Sequence, residues 1–160
     1  MLIQSSFTLT FDLYRIEISP TAPVAAAREN CLVYVDIGYP EGLQYLVANT
    51  RFAGDATLDK GVTLSEQTGY YYSDKDFMIS TNATVQGPKA GSFDITSEDP
   101  DKSSNTLWSP CGRPATLNIY LRAFLKSTVA NASGVFPSDL PGGLLGQFNL
   151  TTGIVWRTCM

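Results

Sequence analysis

Apolar and polar positions alternate along most of this chain. The cleanest run is 115–125, where Ala115, Leu117, Ile119, Leu121, Ala123 and Leu125 are separated by Thr116, Asn118, Tyr120, Arg122 and Phe124. Period 2 over that length predicts a β-strand with one buried face, because successive strand side chains point to opposite sides. A helix would scatter the same residues around its circumference. Cys31, Val33, Val35 and Ile37 repeat the pattern around Leu32, Tyr34 and Asp36, until Gly38 and Pro40 end it. Near the start, Phe7, Leu9, Phe11 and Leu13 share one phase and Tyr14, Ile16 and Ile18 the other. Such a switch implies a bulge or a change of sheet. Further strands are predicted at 43–52, 56–59, 62–66, 69–73, 76–80, 91–96, 146–151 and 153–158. Turn chemistry separates them, at Tyr39-Pro40-Glu41-Gly42, Asp59-Lys60-Gly61, Gly87-Pro88 and Pro141-Gly142-Gly143.

Helical periodicity is confined to one turn at Ala25-Ala26-Ala27-Arg28-Glu29, after Pro20 and Pro23. Residues 97–105 read as a polar loop, and 127–145 as a longer connection that Val135, Phe136 and Leu140 could pin down. About ten short strands with closely spaced turns predict an all-β fold with little or no helix: an antiparallel β-sandwich, with a barrel the alternative. The length of 160 residues suits a single domain, 1–160.

Composition changes the picture mainly by exclusion. Histidine is absent, which removes Ser-His-Asp and Cys-His catalysis, His-ligated metals and His-based pH switches. The net charge of −4 argues against nucleic acid as a partner. No stretch reaches the ~18 apolar residues of a membrane span, and no Gly-rich phosphate loop is present. No cofactor is implied. Three separated cysteines, Cys31, Cys111 and Cys159, form no C-x-x-C pair. Glycosylation acceptors stand at Asn82, Asn131 and Asn149, each followed by a Thr or Ser two residues on. Together with the low charged share of 16%, they point to a secreted, extracellular protein. Met1-Leu2-Ile3-Gln4-Ser5 does not read as a signal peptide. The expectation is therefore a domain lacking its signal peptide and a first cysteine-bearing segment.

Several short motifs fall in a fixed order. They are Arg28-Glu29-Asn30-Cys31, Tyr39-Pro40-Glu41-Gly42, Gly54-Asp55-Ala56-Thr57-Leu58-Asp59-Lys60-Gly61-Val62 and Tyr70-Tyr71-Tyr72. Then come Gly87-Pro88, Trp108-Ser109-Pro110-Cys111-Gly112, Leu117-Asn118 and Trp156-Arg157-Thr158-Cys159. From about Ser5 to Cys159 the chain resembles the domain of unknown function 4360 family of small, secreted, mainly fungal proteins. The resemblance implies secretion, disulfides and a β-rich domain, and it brings no catalytic residues. Members usually carry an N-terminal Cys-Pro segment, which would supply a fourth cysteine. Neighbouring antiparallel strands place the start of one beside the end of the other. On that ground Cys31–Cys159 is the expected disulfide, leaving Cys111 unpaired in this chain, with Cys31–Cys111 the alternative.

The chemistry left is thin. Glu98-Asp99-Pro100-Asp101 and Asp74-Lys75-Asp76 could offer oxygens to calcium, but neither follows the D-x-D-x-D-G pattern, so no metal site is expected. A glycosidase needs two carboxylates on one cleft, about 5–9.5 Å apart; Asp36, Asp55 and Asp59 are candidates that no motif fixes. In a strand, Tyr71 points away from Tyr70 and Tyr72, so one phase faces outward. Tyr70 and Tyr72 are the expected ligand-binding pair, and Tyr34, Tyr39, Tyr45 and Tyr120 could extend their face. Trp108 and Trp156 are expected in the core near the cysteines rather than in a binding site. The expectation is a non-catalytic module that binds glycan, a cell-wall component or a host protein. A carboxylate-dependent hydrolase and a structural cell-surface protein are the alternatives.

Overall fold

The computed structural model describes residues 3–75, 78–98 and 108–160. In chain order the strands are β1 (Ile3–Phe11), β2 (Ile16–Ile18), β3 (Arg28–Asp36), β4 (Leu43–Leu58) and β5 (Val62–Tyr72). They continue with β6 (Ile79–Gln86), β7 (Lys89–Glu98), β8 (Thr116–Ser127), β9 (Gly134–Phe136) and β10 (Phe148–Thr158). Among the described residues the one helical turn is 3-10, at Val24–Ala27. Sheet A runs β1-β10-β4-β9-β2, and β7 joins it on β4. Sheet B runs β3-β8-β5-β6. Every pairing is antiparallel.

The two sheets face each other as an all-β sandwich. Sheet A contributes Tyr45, Val47, Phe52, Phe148, Leu150 and Ile154 to the interior, and sheet B contributes Val62, Leu64, Leu117, Ile119 and Leu121. Phe11 stacks on Phe148 with ring centroids 4.7 Å apart, while Phe52 meets Phe136 at 5.3 Å and Phe148 at 5.6 Å. These offset and edge-on arrangements are the ones the ring quadrupole favours. The 115–125 alternation becomes β8, whose odd-numbered residues are buried from Leu117 to Leu125.

Several predicted strands fuse. The 43–52 and 56–59 segments are one strand, β4, and 62–66 with 69–73 are one strand, β5. Of the predicted 76–80 strand, residues 76 and 77 lie outside the described residues, and β6 runs from Ile79 on to Gln86. The phase switch after Leu13 marks the break between β1 and β2, and β2 pairs with β9 inside the 127–145 connection. The chain passes from sheet A to sheet B at Asp59-Lys60-Gly61 and back at Gly87-Pro88. These two corners press together: a Cβ on Gly87 would lie 2.0 Å from the Asp59 carbonyl oxygen.

The disulfide joins Cys111 to Cys159, with Cα atoms 5.8 Å apart, and Cys31 is a free, half-buried thiol. This corrects the expected Cys31–Cys159 bond. That expectation needs the two strands to be neighbours, but β3 lies in sheet B and β10 in sheet A. The Trp108-Ser109-Pro110-Cys111-Gly112 segment instead clamps the start of β4. Ser109 N donates to Tyr45 O at 2.7 Å, Ser109 Oγ accepts from Tyr45 N at 2.9 Å, and Gly112 N donates to Leu43 O at 3.2 Å. Cys159 N donates to Gly42 O at 2.8 Å, which brings both sulfurs to that end. The tryptophans lie close by, Trp108 in the core as expected and Trp156 only half-buried at its edge. Trp108 is buried beneath the Arg157 guanidinium, 3.7 Å from the ring centroid, and Trp156 meets Tyr39 and Tyr45 at 5.6 and 5.1 Å.

Candidate functional site

The tyrosine run takes the phase opposite to the expected one. Val62 and Leu64 set the inward parity of β5, and it carries through Glu66 and Thr68 to Tyr70 and Tyr72, both 0% exposed. The Tyr70 hydroxyl sits among Thr50 at 2.6 Å and Thr152 at 3.0 Å, and Thr81 donates to Thr50 at 2.8 Å. This chain of hydroxyls ties the two sheets together across the interior. Burial pushes the Tyr70 phenol up to about 12, against the hydrogen bonds from Thr152 and Thr50. Tyr72 donates to Tyr45 O at 3.3 Å. Tyr70 and Tyr72 are therefore core residues, and the ligand-binding role expected of them does not hold. Tyr45 is likewise fully buried and Tyr39 is half-buried.

Tyr71 is the member of the run that faces out, and it does so beside two other tyrosines. Across sheet B the register aligns Tyr34, Asn118 and Tyr71 in one row and Leu32, Tyr120 and Gly69 in the next. Neighbouring strands lie about 4.8 Å apart, so each row spans about 10 Å from β3 to β5. Tyr34 is 66% exposed and Leu32 40%, while Tyr71 and Tyr120 are half-buried. Asn118 is buried beneath them; its amide donates to Ser73 Oγ at 2.9 Å and to Tyr71 O at 3.2 Å, which anchors the row. Gly69 leaves room for Met78, since a Cβ there would lie 2.7 Å from the Met78 sulfur. The result is an aromatic and apolar face, with the Asn30 and Gln67 amides in the row beyond it.

The next rows are polar and cationic. Asn30, Arg122 and Gln67 align, followed by Arg28, Phe124 and Ser65. Arg122 and Lys126 stand over the Phe124 ring at 5.3 and 5.2 Å, a distance at which a cation is attracted to the ring face.

The outer face of sheet A is of another kind. Thr8 and Thr151 share a hydrogen bond of 2.8 Å, and Thr10 donates to Asn149 at 2.8 Å. Arg51 grips Asp94 with both nitrogens of its fork, which holds the Asp94 carboxyl below its ordinary range and the guanidinium above its own. A shallow groove of about 400 Å³ runs past Ser6, Asn49, Arg51 and Thr151. Of its polar groups, Arg51 is held by Asp94 and Thr151 by Thr8.

Among the described residues no acidic pair stands out for hydrolysis. Asp36 is exposed and accepts from Thr116 at 2.7 Å; Asp59 accepts from the Ser133 N–H at 2.8 Å; Asp55 is half-buried. Among the described residues the buried acid is Glu66, 3% exposed between Ala83 and Ala123 and hydrogen-bonded by Thr68. Burial pushes its carboxyl up to about 7, against the Thr68 hydrogen bond. It sits in the interior between the sheets. Of the calcium candidates, Glu98 ends β7, Asp74 pairs with Arg113 at 3.2 Å, and Asp76, Asp99 and Asp101 lie outside the described residues. Among the described residues no cluster of three metal-ligating side chains exists, and no helix is long and apolar enough to cross a membrane. Burial, reinforced by Glu29, raises the Cys31 thiol above its ordinary range, so it is no activated nucleophile.

Comparison with known proteins places the chain. An uncharacterized secreted protein of the fungus Arthroderma benhamiae is 32% identical over 152 residues, covering 95% of this chain and 60% of its own. The chain thus spans about three-fifths of that relative's length. Among solved structures, the decameric BFDV capsid protein aligns over 99% of this chain and 100% of its own at 11% identity, with a TM-score of 0.42. The infectious bursal disease virus VP2 subviral particle aligns over 98% of this chain and 42% of its own at 12% identity and 0.41. The model of the domain of unknown function (DUF4360) matches residues 3–159. With the secreted fungal relative, that match makes this chain an extracellular member of the DUF4360 family.

Proposed function

We propose that the protein is a non-catalytic binding module and that it takes glycan on the outer face of sheet B. One observation supports this reading above the others: Tyr34, Tyr71, Tyr120 and Leu32 share one solvent-facing surface of the rigid sheet. Tyrosine offers a broad apolar ring and a polar tip at a low cost in side-chain entropy, which suits a sugar with apolar faces and hydroxyl edges. Asn30, Gln67 and Arg122 stand beside the rings as hydrogen-bonding groups. The absence of a sheltered acid pair among the described residues favours binding over hydrolysis.

The three glycosylation acceptors fit the same reading. Asn82, Asn131 and Asn149 are all exposed. Asn149 lies on the outer face of sheet A, so a glycan there would cover that face, while one on Asn82 would border the tyrosine surface from β6. A glycan array probed with the oxidised protein tests the proposal. Wild type should bind a restricted set of sugars, and Tyr34→Ala/Tyr71→Ala should lose them with its melting temperature kept. A wild-type protein that binds no glycan removes the proposal.

A further inference from the structure

The cationic end of the sheet B face has no internal purpose that its neighbours explain. Arg28, Arg122 and Lys126 line a hollow of about 250 Å³ floored by Phe124 and closed on one side by Val24 and Ala27. Among the described residues the ion pairs are made by Arg15, Arg51 and Arg113, and none by these three. Glu29 is adjacent to Arg28 in sequence but takes the other side of β3, where its Oε1 accepts the Asn30 N–H at 3.2 Å. The outward positions of β3, β8, β5 and β6 hold one acid, Asp36, bonded to Thr116. Eight residues of extended chain, about 26 Å, separate it from Arg28. At physiological salt the screening length is about 8 Å, so Asp36 does not neutralise the hollow.

Three unpaired cations on one small patch stand out in a chain of net charge −4. Like charges this close repel one another, and nothing in the core requires them there. Stacking on Phe124 holds Arg122 and Lys126 along the sheet surface and restricts their rotamers before any ligand arrives. That preorganisation lowers the entropy cost of binding. The hollow also continues the tyrosine surface: Arg122 lies one row beyond Tyr120 and Leu32, and Phe124 one row further. A ligand running along β8 would meet rings first and cations second.

Resting on the glycan reading above, we infer that the ligand is an anionic polysaccharide. Its sugar rings lie along Tyr34, Tyr71 and Tyr120, and a carboxylate or sulfate group seats in the hollow of Arg28, Arg122 and Lys126. Planar guanidinium forks match a carboxylate or sulfate with two parallel hydrogen bonds, and the lysine adds a mobile point charge. A neutral polysaccharide would leave the three cations without partners.

The test titrates the oxidised protein with a galacturonate hexamer, a sulfated galactose hexamer, a neutral galactose hexamer and a short duplex DNA, at 0.15 M and 0.5 M salt. At least one anionic hexamer should bind more tightly than the neutral one and weaken at the higher salt. Arg122→Glu/Lys126→Glu should lower that affinity at least about tenfold, as loss of a charge-assisted hydrogen bond predicts, with the melting temperature unchanged. Equal binding of neutral and anionic hexamers overturns the inference and leaves the glycan reading intact. Binding that the double charge reversal does not weaken overturns the assigned site. DNA that binds as tightly as the sugars shows general attraction of polyanions and overturns sugar recognition. Binding of none of the hexamers overturns the inference and the glycan reading together.

Discussion

On the inner face of sheet B, Tyr70 and Tyr72 have no contact with water, whereas on the outer face Tyr34 keeps 66% of its surface exposed. Between them, Tyr71 belongs to the same strand as the first pair and to the same surface as the second. The charges divide in the same way. Glu66 is sealed inside and pushed toward its neutral form, and Arg28, Arg122 and Lys126 stand outside without an acid partner among the described residues. Residue type does not assign the role; parity along β5 and β8 does. A side chain one position away from a core tyrosine is free to recognise a ligand, because the sheet's rigidity is supplied from its other face.

The comparison breaks most readily through single tyrosines. Tyr72→Ala should destabilise by about 3–5 kcal/mol, the usual cost of emptying a buried aromatic site, and Tyr71→Ala by less than about 1 kcal/mol. Urea denaturation of both variants reads the difference, and equal losses would abolish the inside–outside division. Next in size is the disulfide that closes the sandwich at the start of β4. Cys111→Ser should cost up to about 4 kcal/mol, given its sequence separation of 48, while Cys31→Ser should cost far less because Cys31 bridges nothing.

A smaller effect separates the interior acid from the exterior cations. In the folded protein Glu66 holds its proton up to about pH 7, while its ordinary value is 4.5. Between those values the folded state binds more protons than the unfolded one. The stability from protonated Glu66 is therefore fully present below about 4.5 and is lost as pH rises through about 7. The change is on the order of 3 kcal/mol. Thermal melts between pH 4.5 and 8 should show it, and Glu66→Gln should flatten the profile. Smallest of all, Arg51→Ala on sheet A should leave the melting temperature unmoved, since exposed ion pairs contribute little.

The sequence makes β8 plain because Leu117 to Leu125 alternate without interruption. β5 is harder to read, for a physical reason. Glu66 and Thr68 occupy the buried parity and break the apolar pattern, so the run splits in two and the tyrosines lose the phase that Val62 and Leu64 set. Once split, 69–73 is apolar on both faces, and periodicity cannot say which tyrosines turn inward. β6 is weak for the same reason: its inner residues after Ile79 are Thr81, Ala83 and Val85, and small or polar side chains give little contrast with Asn82 and Thr84. The Cys111–Cys159 bond depends on which strands share a sheet, and alternation along single strands does not contain that information. The Arg28, Arg122 and Lys126 hollow is hidden likewise, because β3 and β8 are neighbours only in space.

The central claim is that recognition resides on the outer face of sheet B and not on that of sheet A. The most direct measurement titrates one bound glycan against two double variants matched in number of substitutions: Tyr34→Ala/Tyr71→Ala on sheet B and Thr8→Ala/Thr151→Ala on sheet A. Affinity should collapse in the first and stay at the wild-type value in the second, with both proteins folded. Retained affinity in the tyrosine variant, together with loss in the threonine variant, would contradict the account.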